Sequence, residues 1–206
     1  MTRLRLDDLA QYSDTLHVRS GQRLTLRFVE PRDADALQDY IRGLSQSSRY
    51  RRFLGAASEL PPGLLAGFTH SGEDDRFSVI ATIAVDGHER IVAEARYALD
   101  ADADQATVEF GLSVADAWQG HGIGAALLKN LECRAAALGA GRLFGDALRS
   151  NAVMIALARK AGFALTPSPG DWRLVRFEKA IAAEARAIPC ASWRLAAASM
   201  RQPAAV

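Results

Sequence analysis

The sequence predicts a mixed α/β fold, with a mostly antiparallel sheet flanked by helices, on three observations. Between residues 77 and 114 there are three stretches rich in Val, Ile, Thr and Phe, with apolar and polar residues alternating in the third. Helical periodicity lies on both sides of that block, and after residue 122 helix and strand follow one another. The resulting order is strand, helices, three strands, helix, strand, helix, strand, which differs from the strict alternation of a doubly wound parallel sheet.

Leu24, Leu26 and Phe28 alternate with Thr25 and Arg27 as a half-buried strand that Pro31 ends. Asp33 is placed to cap a helix carrying Ala34, Leu37, Tyr40, Ile41 and Leu44 at helical spacing. A short basic helix over 47–55 follows, and Pro61-Pro62 opens another turn through Leu64, Leu65 and Phe68. The strand from Phe77 to Val85 passes through Asp86-Gly87, a hairpin dipeptide, into Ile91 to Leu99. Val108, Phe110, Leu112 and Val114 form the third strand of the meander. From Gly122 to Leu138 the apolar residues fall on one helical face, and Gly139 with Gly141 stops the helix. Leu143 to Leu148 reads as a strand, Asn151 as the cap of a helix to Ala161, and Leu174 to Glu178 as a last strand. Residues 1–22 read as an N-terminal extension, 23–180 as the domain and 181–206 as an Ala-rich tail.

Composition removes several functions. The 206 residues are 49% hydrophobic and 24% charged, enough apolar side chain for a real core. With 25 Lys+Arg against 24 Asp+Glu, the basic excess of a nucleic-acid-binding domain is missing, so a polyanion must be held locally. No run of apolar residues reaches the length of a membrane span, and the N-terminus lacks the uninterrupted apolar core of a secretory signal. Cys133 and Cys190 lack paired spacing and read as buried thiols in a reducing compartment, so a cytoplasmic protein is expected. His17, His70 and His88 show no ligand spacing, and no metal is expected.

The most informative stretch is Val114-Ala115-Asp116-Ala117-Trp118-Gln119-Gly120-His121-Gly122-Ile123-Gly124-Ala125, which leaves a strand and enters a long helix. Glycines let the backbone approach a ligand, and the helix start directs unpaired N–H groups at it, which suits a phosphate or pyrophosphate. A P-loop needs Gly-Lys-Ser/Thr, but Gly124 is followed by Ala125-Ala126. Gly120, Gly122 and Ala125 satisfy G-x-G-x-x-A, yet four residues separate strand from turn and no crossover helices precede it, so the dinucleotide reading fails on context.

Gln119-x-x-Gly122-x-Gly124 resembles the Q/R-x-x-G-x-G/A pyrophosphate loop of the GNAT superfamily of CoA-dependent N-acyltransferases, at the place in the element order where that family carries it. Asn151 with Gly162-Phe163 resembles a second family landmark, and the likeness spans about Leu24 to Lys179. Ser48-Arg49-Tyr50-Arg51-Arg52-Phe53, the run at 106–112 and the Asn151 to Phe163 pattern resemble the protein-lysine acetyltransferase branch. The resemblance implies a central sheet splayed at the acetyl-CoA site and acetyl transfer from acetyl-CoA to a primary amine. The acceptor is either a protein lysine or a small molecule, and a CoA-binding module without turnover is a further reading. A homodimer is compatible with it.

Carried over residue by residue, the resemblance implies Glu109 as the catalytic base, with a solvent-facing strand glutamate as the plain alternative. A lysine amine must lose a proton near neutral pH at a cost of about 4 to 5 kcal/mol, so a base is useful, directly or through water. Leu112, Ser113 and Val114 would hold the pantetheine arm, and Gln119, Gly120, His121, Gly122, Ile123, Gly124 and Ala125 the pyrophosphate. Asn151 is either a helix cap alone or also a hydrogen-bond partner of the arm. Ala158 stands where many members place a tyrosine acid. Arg49, Arg51 and Arg52 read as a solvated helix face or as contacts for an acidic acceptor or the CoA 3′-phosphate, Trp118 and Trp172 as packing residues, and Trp193 as a tail residue that docks.

Overall fold

The computed structural model describes residues 13–18, 21–72, 75–100 and 105–181. Its elements are β1 (Asp14–His17), β2 (Arg23–Phe28), α1 (Ala34–Gly43), α2 (Gln46–Phe53), α3 (Pro62–Thr69), β3 (Arg76–Val85), β4 (His88–Asp100), β5 (Thr107–Val114), α4 (Ile123–Ala137), β6 (Arg142–Leu148), α5 (Ala152–Lys160), β7 (Ala164–Pro167) and β8 (Leu174–Ala180). The strands form one sheet in the order β1-β2-β3-β4-β5-β6-β8-β7. Every neighbouring pair is antiparallel except β5 and β6, which α4 connects as a parallel crossover.

Two apolar cores cover the sheet. On one face α4 and α5 bury Ile123, Leu127, Leu128 and Leu131 against Leu24, Leu26, Tyr97, Val108 and Phe110. On the other, Leu37, Tyr40 and Ile41 of α1 and Phe68 of α3 close over Ile80 and Ile91. The hairpin between β3 and β4 turns as expected, with Asp86 and Gly87 both at positive φ, 51° and 78°.

The expected elements are all found, and the structure adds two four-residue edge strands, β1 and β7. β1 falls in the stretch read as an extension. It pairs with β2 from Asp14↔Leu26 to His17↔Arg23 and places Leu16 and Val18 in the core. Asp14 is buried beneath α4, where Asn130 Nδ2 and Arg134 Nη2 donate to its carboxylate at 2.9 and 3.2 Å. Three local readings need correction. Asp33 makes no side-chain cap to α1, because its carboxylate takes the Glu30 N–H at 2.8 Å and the Arg27 guanidinium at 2.7 and 2.9 Å. Trp172 is not a packing residue but lies 80% exposed on the β7–β8 loop. Cys133 is half-buried rather than buried, while Cys190 and Trp193 lie outside the described residues.

Candidate active site

The parallel ladder of β5 and β6 runs from Thr107↔Arg142 to Glu109↔Phe144 and stops there. Beyond it β5 keeps its pairing with β4 to Val114, and β6 keeps its pairing with β8 to Leu148, so the sheet opens as a wedge. Glycines flank the point of parting. A Cβ on Gly145 would stand 2.8 Å from both the Phe110 carbonyl oxygen and the Phe177 ring, and one on Gly111 would stand 2.8 Å from Arg52 Nη1. A cavity of about 780 Å³ fills the wedge, with Phe110 and Phe177 in its wall, their rings edge to face at 5.5 Å.

The cavity continues to the start of α4. Gly120 and Gly122 hold φ of 81° and 88°, a left-handed conformation that side chains resist. Gly122 is the N-cap of α4 and offers no side chain, and no acidic residue occupies the first turn. Ala126 is the first residue to bond back, to the Gly122 carbonyl, which leaves the N–H groups of Ile123, Gly124 and Ala125 directed at the cavity those residues line. A Cβ on Gly124 would meet Leu157 Cδ2 at 3.2 Å, so the same glycine sets α4 close against α5. Lys129 and Lys160 face this cavity from the two helices, without a carboxylate partner among the described residues. Oriented N–H groups and two ammonium groups fit a pyrophosphate and a further phosphate, and the wedge fits an extended amide-bearing arm.

Most residues expected at the site line this cavity, but several do so by main chain alone. Leu112 and Val114 lie along the β5 wall with Ser113, whose buried hydroxyl points away and donates to Glu94 at 2.6 Å. The Gln119 amide turns back onto the Val114 carbonyl at 3.1 Å and Ser48 Oγ at 3.4 Å, bracing the loop it belongs to. Asn151 lines the cavity and also caps α5, accepting from the Met154 N–H at 3.2 Å. His121 is not in the wall: its Nδ1 is 2.9 Å from the Gln119 carbonyl oxygen and its ring centre 5.9 Å from that of Trp118.

Glu109 also lies outside the wall. It is exposed and occupies the last rung before the wedge, on the sheet face that Gly111 and Ser113 share. Arg176 is nearby. Its guanidinium stands above the ordinary value chiefly through the hydrogen bond to Asp146, with the charges of Glu109 and Glu178 adding to the effect.

The sequence reading missed a buried polar chain beneath β5. Arg52 Nε and Nη2 donate to Glu94 at 2.6 and 3.0 Å, and the hydroxyls of Ser113 and Tyr40 are 2.9 Å apart. Glu94 is 1% exposed, so Arg52 does not belong to a solvated face. Burial opposes the Arg52 charge, but the facing carboxylate outweighs it and holds the guanidinium above its ordinary pKa. Burial first, and then the Glu94 charge, push the Tyr40 hydroxyl far upward. The available signal was Glu94 as a single acid within the otherwise apolar run Ile91 to Ala95.

A second tie joins α2 to the glycine turn. Asp116 accepts from the Ser45 N–H, Ser45 Oγ and Ser48 Oγ at 2.7 to 2.8 Å, while Ser45 itself caps α2. Partial burial works against the Asp116 charge, but these hydrogen bonds hold its carboxyl below the usual range.

The chain is similar to known acetyltransferases in sequence and structure. It is 28% identical to Acetyltransferase PA5475 of Pseudomonas aeruginosa over 73% of this chain and 80% of that one. The GNAT domain of S. lividans PAT superposes with a TM-score of 0.74 at 26% identity, covering 83% of this chain and 98% of that domain. The fold of Arabidopsis thaliana NAA60, solved in complex with acetyl-CoA, is shared with a TM-score of 0.58 at 14% identity, over 77% and 98% of the two chains. The model of the acetyltransferase (GNAT) family matches residues 39–163, a span that holds both the wedge and the glycine turn. The chain therefore belongs to the GNAT family, as an acyltransferase that takes an acetyl group from acetyl-CoA.

Proposed function

We propose that the protein acetylates a primary amine by direct attack on the thioester of acetyl-CoA, with a lysine side chain of a protein as the favoured acceptor. The observation that carries this reading is a single cavity running from the α4 N-terminus into the wedge between β5 and β6. The N–H groups at Gly122 to Ala125 hold the pyrophosphate, and the backbone of Leu112 to Val114 pairs with the pantetheine arm as an added strand would. An N–H of that strand polarises the thioester carbonyl. Holding amine and thioester in line removes much of the entropic cost of the encounter. The likeness to the S. lividans PAT domain, with the motifs at 48–53 and 151–163, favours the protein-lysine branch.

Glu109 serves as the base. Its place on the last rung, outside the cavity wall, suits removal of the amine proton through a water molecule. Ala158 is buried and has no acidic side-chain proton to donate, so the departing thiolate is protonated by solvent in this reading. Release of free thiol from acetyl-CoA, followed with a panel of lysine peptides and small amines, tests the function. Glu109→Gln, measured across pH, is expected to lower kcat/KM by about a hundredfold while CoA affinity is kept. An unchanged rate and profile would remove Glu109 from the mechanism. Gly122→Asp, which puts a side chain on a left-handed N-cap and a negative charge at the phosphate, should abolish CoA binding in calorimetry.

A further inference from the structure

Beside the cofactor cavity lies a second one of about 740 Å³, between α2, the 55–58 loop and the end of β6. Arg51 lines both cavities. The other groups facing the second cavity include Arg49, Tyr50, Ser47, Ser58 and Ser150, and neither Asp nor Glu is among them. Several carboxylates of the surrounding elements are already engaged: Glu59 with Arg42, Glu94 with Arg52, Asp146 with Arg176, Asp171 with Arg173, and Asp116 with the two serines. Arg49 of this wall and Arg149, which adjoins it without lining it, are engaged differently. Arg49 donates to the carbonyls of Ala57 and Arg42 at 2.9 Å, and Arg149, next to Ser150, donates to the Trp172 carbonyl at 2.6 Å. Carbonyls satisfy N–H groups but cancel no charge. Arg51 has no carboxylate partner among the described residues.

We infer that this second cavity seats the acceptor and selects a primary amine that carries a carboxylate nearby, with Arg51 as the group that reads it. The inference rests on the amine-acetylating reading above and names its substrate class. A partly enclosed wall with uncancelled positive charge attracts an anion and repels a lysine set among other cations. The planar guanidinium can hold a carboxylate through two parallel hydrogen bonds. Two sources supply that chemistry: an acidic residue beside the target lysine of a protein, or the carboxylate of a free amino acid.

Lysine peptides of equal length with Glu, Gln or Lys beside the target distinguish charge from shape, and a free amino acid against its C-terminal amide forms the second arm. The Glu peptide, or the free acid, is expected to show at least a tenfold higher kcat/KM than its neutral counterpart. Arg51→Gln should erase that preference and Arg51→Lys should keep part of it, read as the ratio of kcat/KM for charged over neutral partner at saturating acetyl-CoA, so that a change in CoA affinity from the cofactor-cavity side of Arg51 divides out. A preference confined to one arm identifies the source of the carboxylate. Equal rates for charged and neutral partners overturn the inference and leave the acetyltransferase reading intact. So does an Arg51→Gln variant that weakens CoA binding while keeping the preference. Binding of the same peptides to the CoA-saturated protein tests the selection without turnover. If no amine at all is acetylated although the peptides bind by charge, the proposed reaction falls and the acceptor site stands.

Discussion

Glu94 sets the most consequential residue-scale constraint, because it meets three hydrogen-bond donors in a place water does not reach. Removing one partner of a buried pair costs more than the pair contributes, since the other charge then lies buried and uncompensated. Glu94→Gln should therefore destabilise the fold by about 3 to 5 kcal/mol, seen as a lower urea midpoint at unchanged slope. Arg52 crosses β5 only because Gly111 has no side chain, its Nη1 lying 2.8 Å from where a Cβ would be. Neither half of this arrangement could be read from the sequence. Arg52 and Glu94 are 42 residues apart, and the local pattern of α2 shows a basic helix without saying which arginine turns inward.

Among elements, α2 is fixed at both ends by the machinery it borders. Its first turn is tied to the glycine turn through Asp116, and its last carries Arg52 beneath β5. The Asp116 carboxyl sits below its ordinary value of 3.8, so its contribution is complete above that pH and is lost as pH falls through the lower folded value. CoA affinity, measured by calorimetry down the acid range, should drop there, and Asp116→Asn should show weaker binding at neutral pH with that acid step removed. The glycine turn itself was legible, because Gly120, Gly122 and Gly124 bring backbone requirements that only glycine meets cheaply. The side-chain contacts of Gln119 were not. Its motif position suggests a phosphate ligand, whereas its amide reaches back to Val114 and Ser48, contacts set by the fold of the loop.

At the scale of the whole molecule, the alternation and helical periods of residues 24 to 178 were enough to give the succession of elements and the antiparallel meander, but not the β6-β8-β7 order of the sheet, while β1 and β7 escaped notice because four residues carry little pattern. β1 owes its place to a tertiary device, the buried Asp14 against Asn130 and Arg134 of α4. It also brings His17 and Val18 to the cavity that reaches the start of α4, so the edge of the sheet and α4 share one anchor. Asp14→Ala should cost about 3 to 5 kcal/mol and raise the amide exchange rate of 14–18 well before global unfolding. The wedge has a consequence of another kind. An unpaired strand edge on the outside of a protein invites pairing with foreign chains, and proteins blunt such edges with charge or shortness. Here β1 and β7 are the short outer edges, and the long run of β5 past Glu109 faces inward across a slot walled by β6 and its own helices. A chain too wide for that slot has no access, so the molecule can keep an adhesive edge permanently available to a thin ligand without the risk of aggregation that the same edge would bring at its surface.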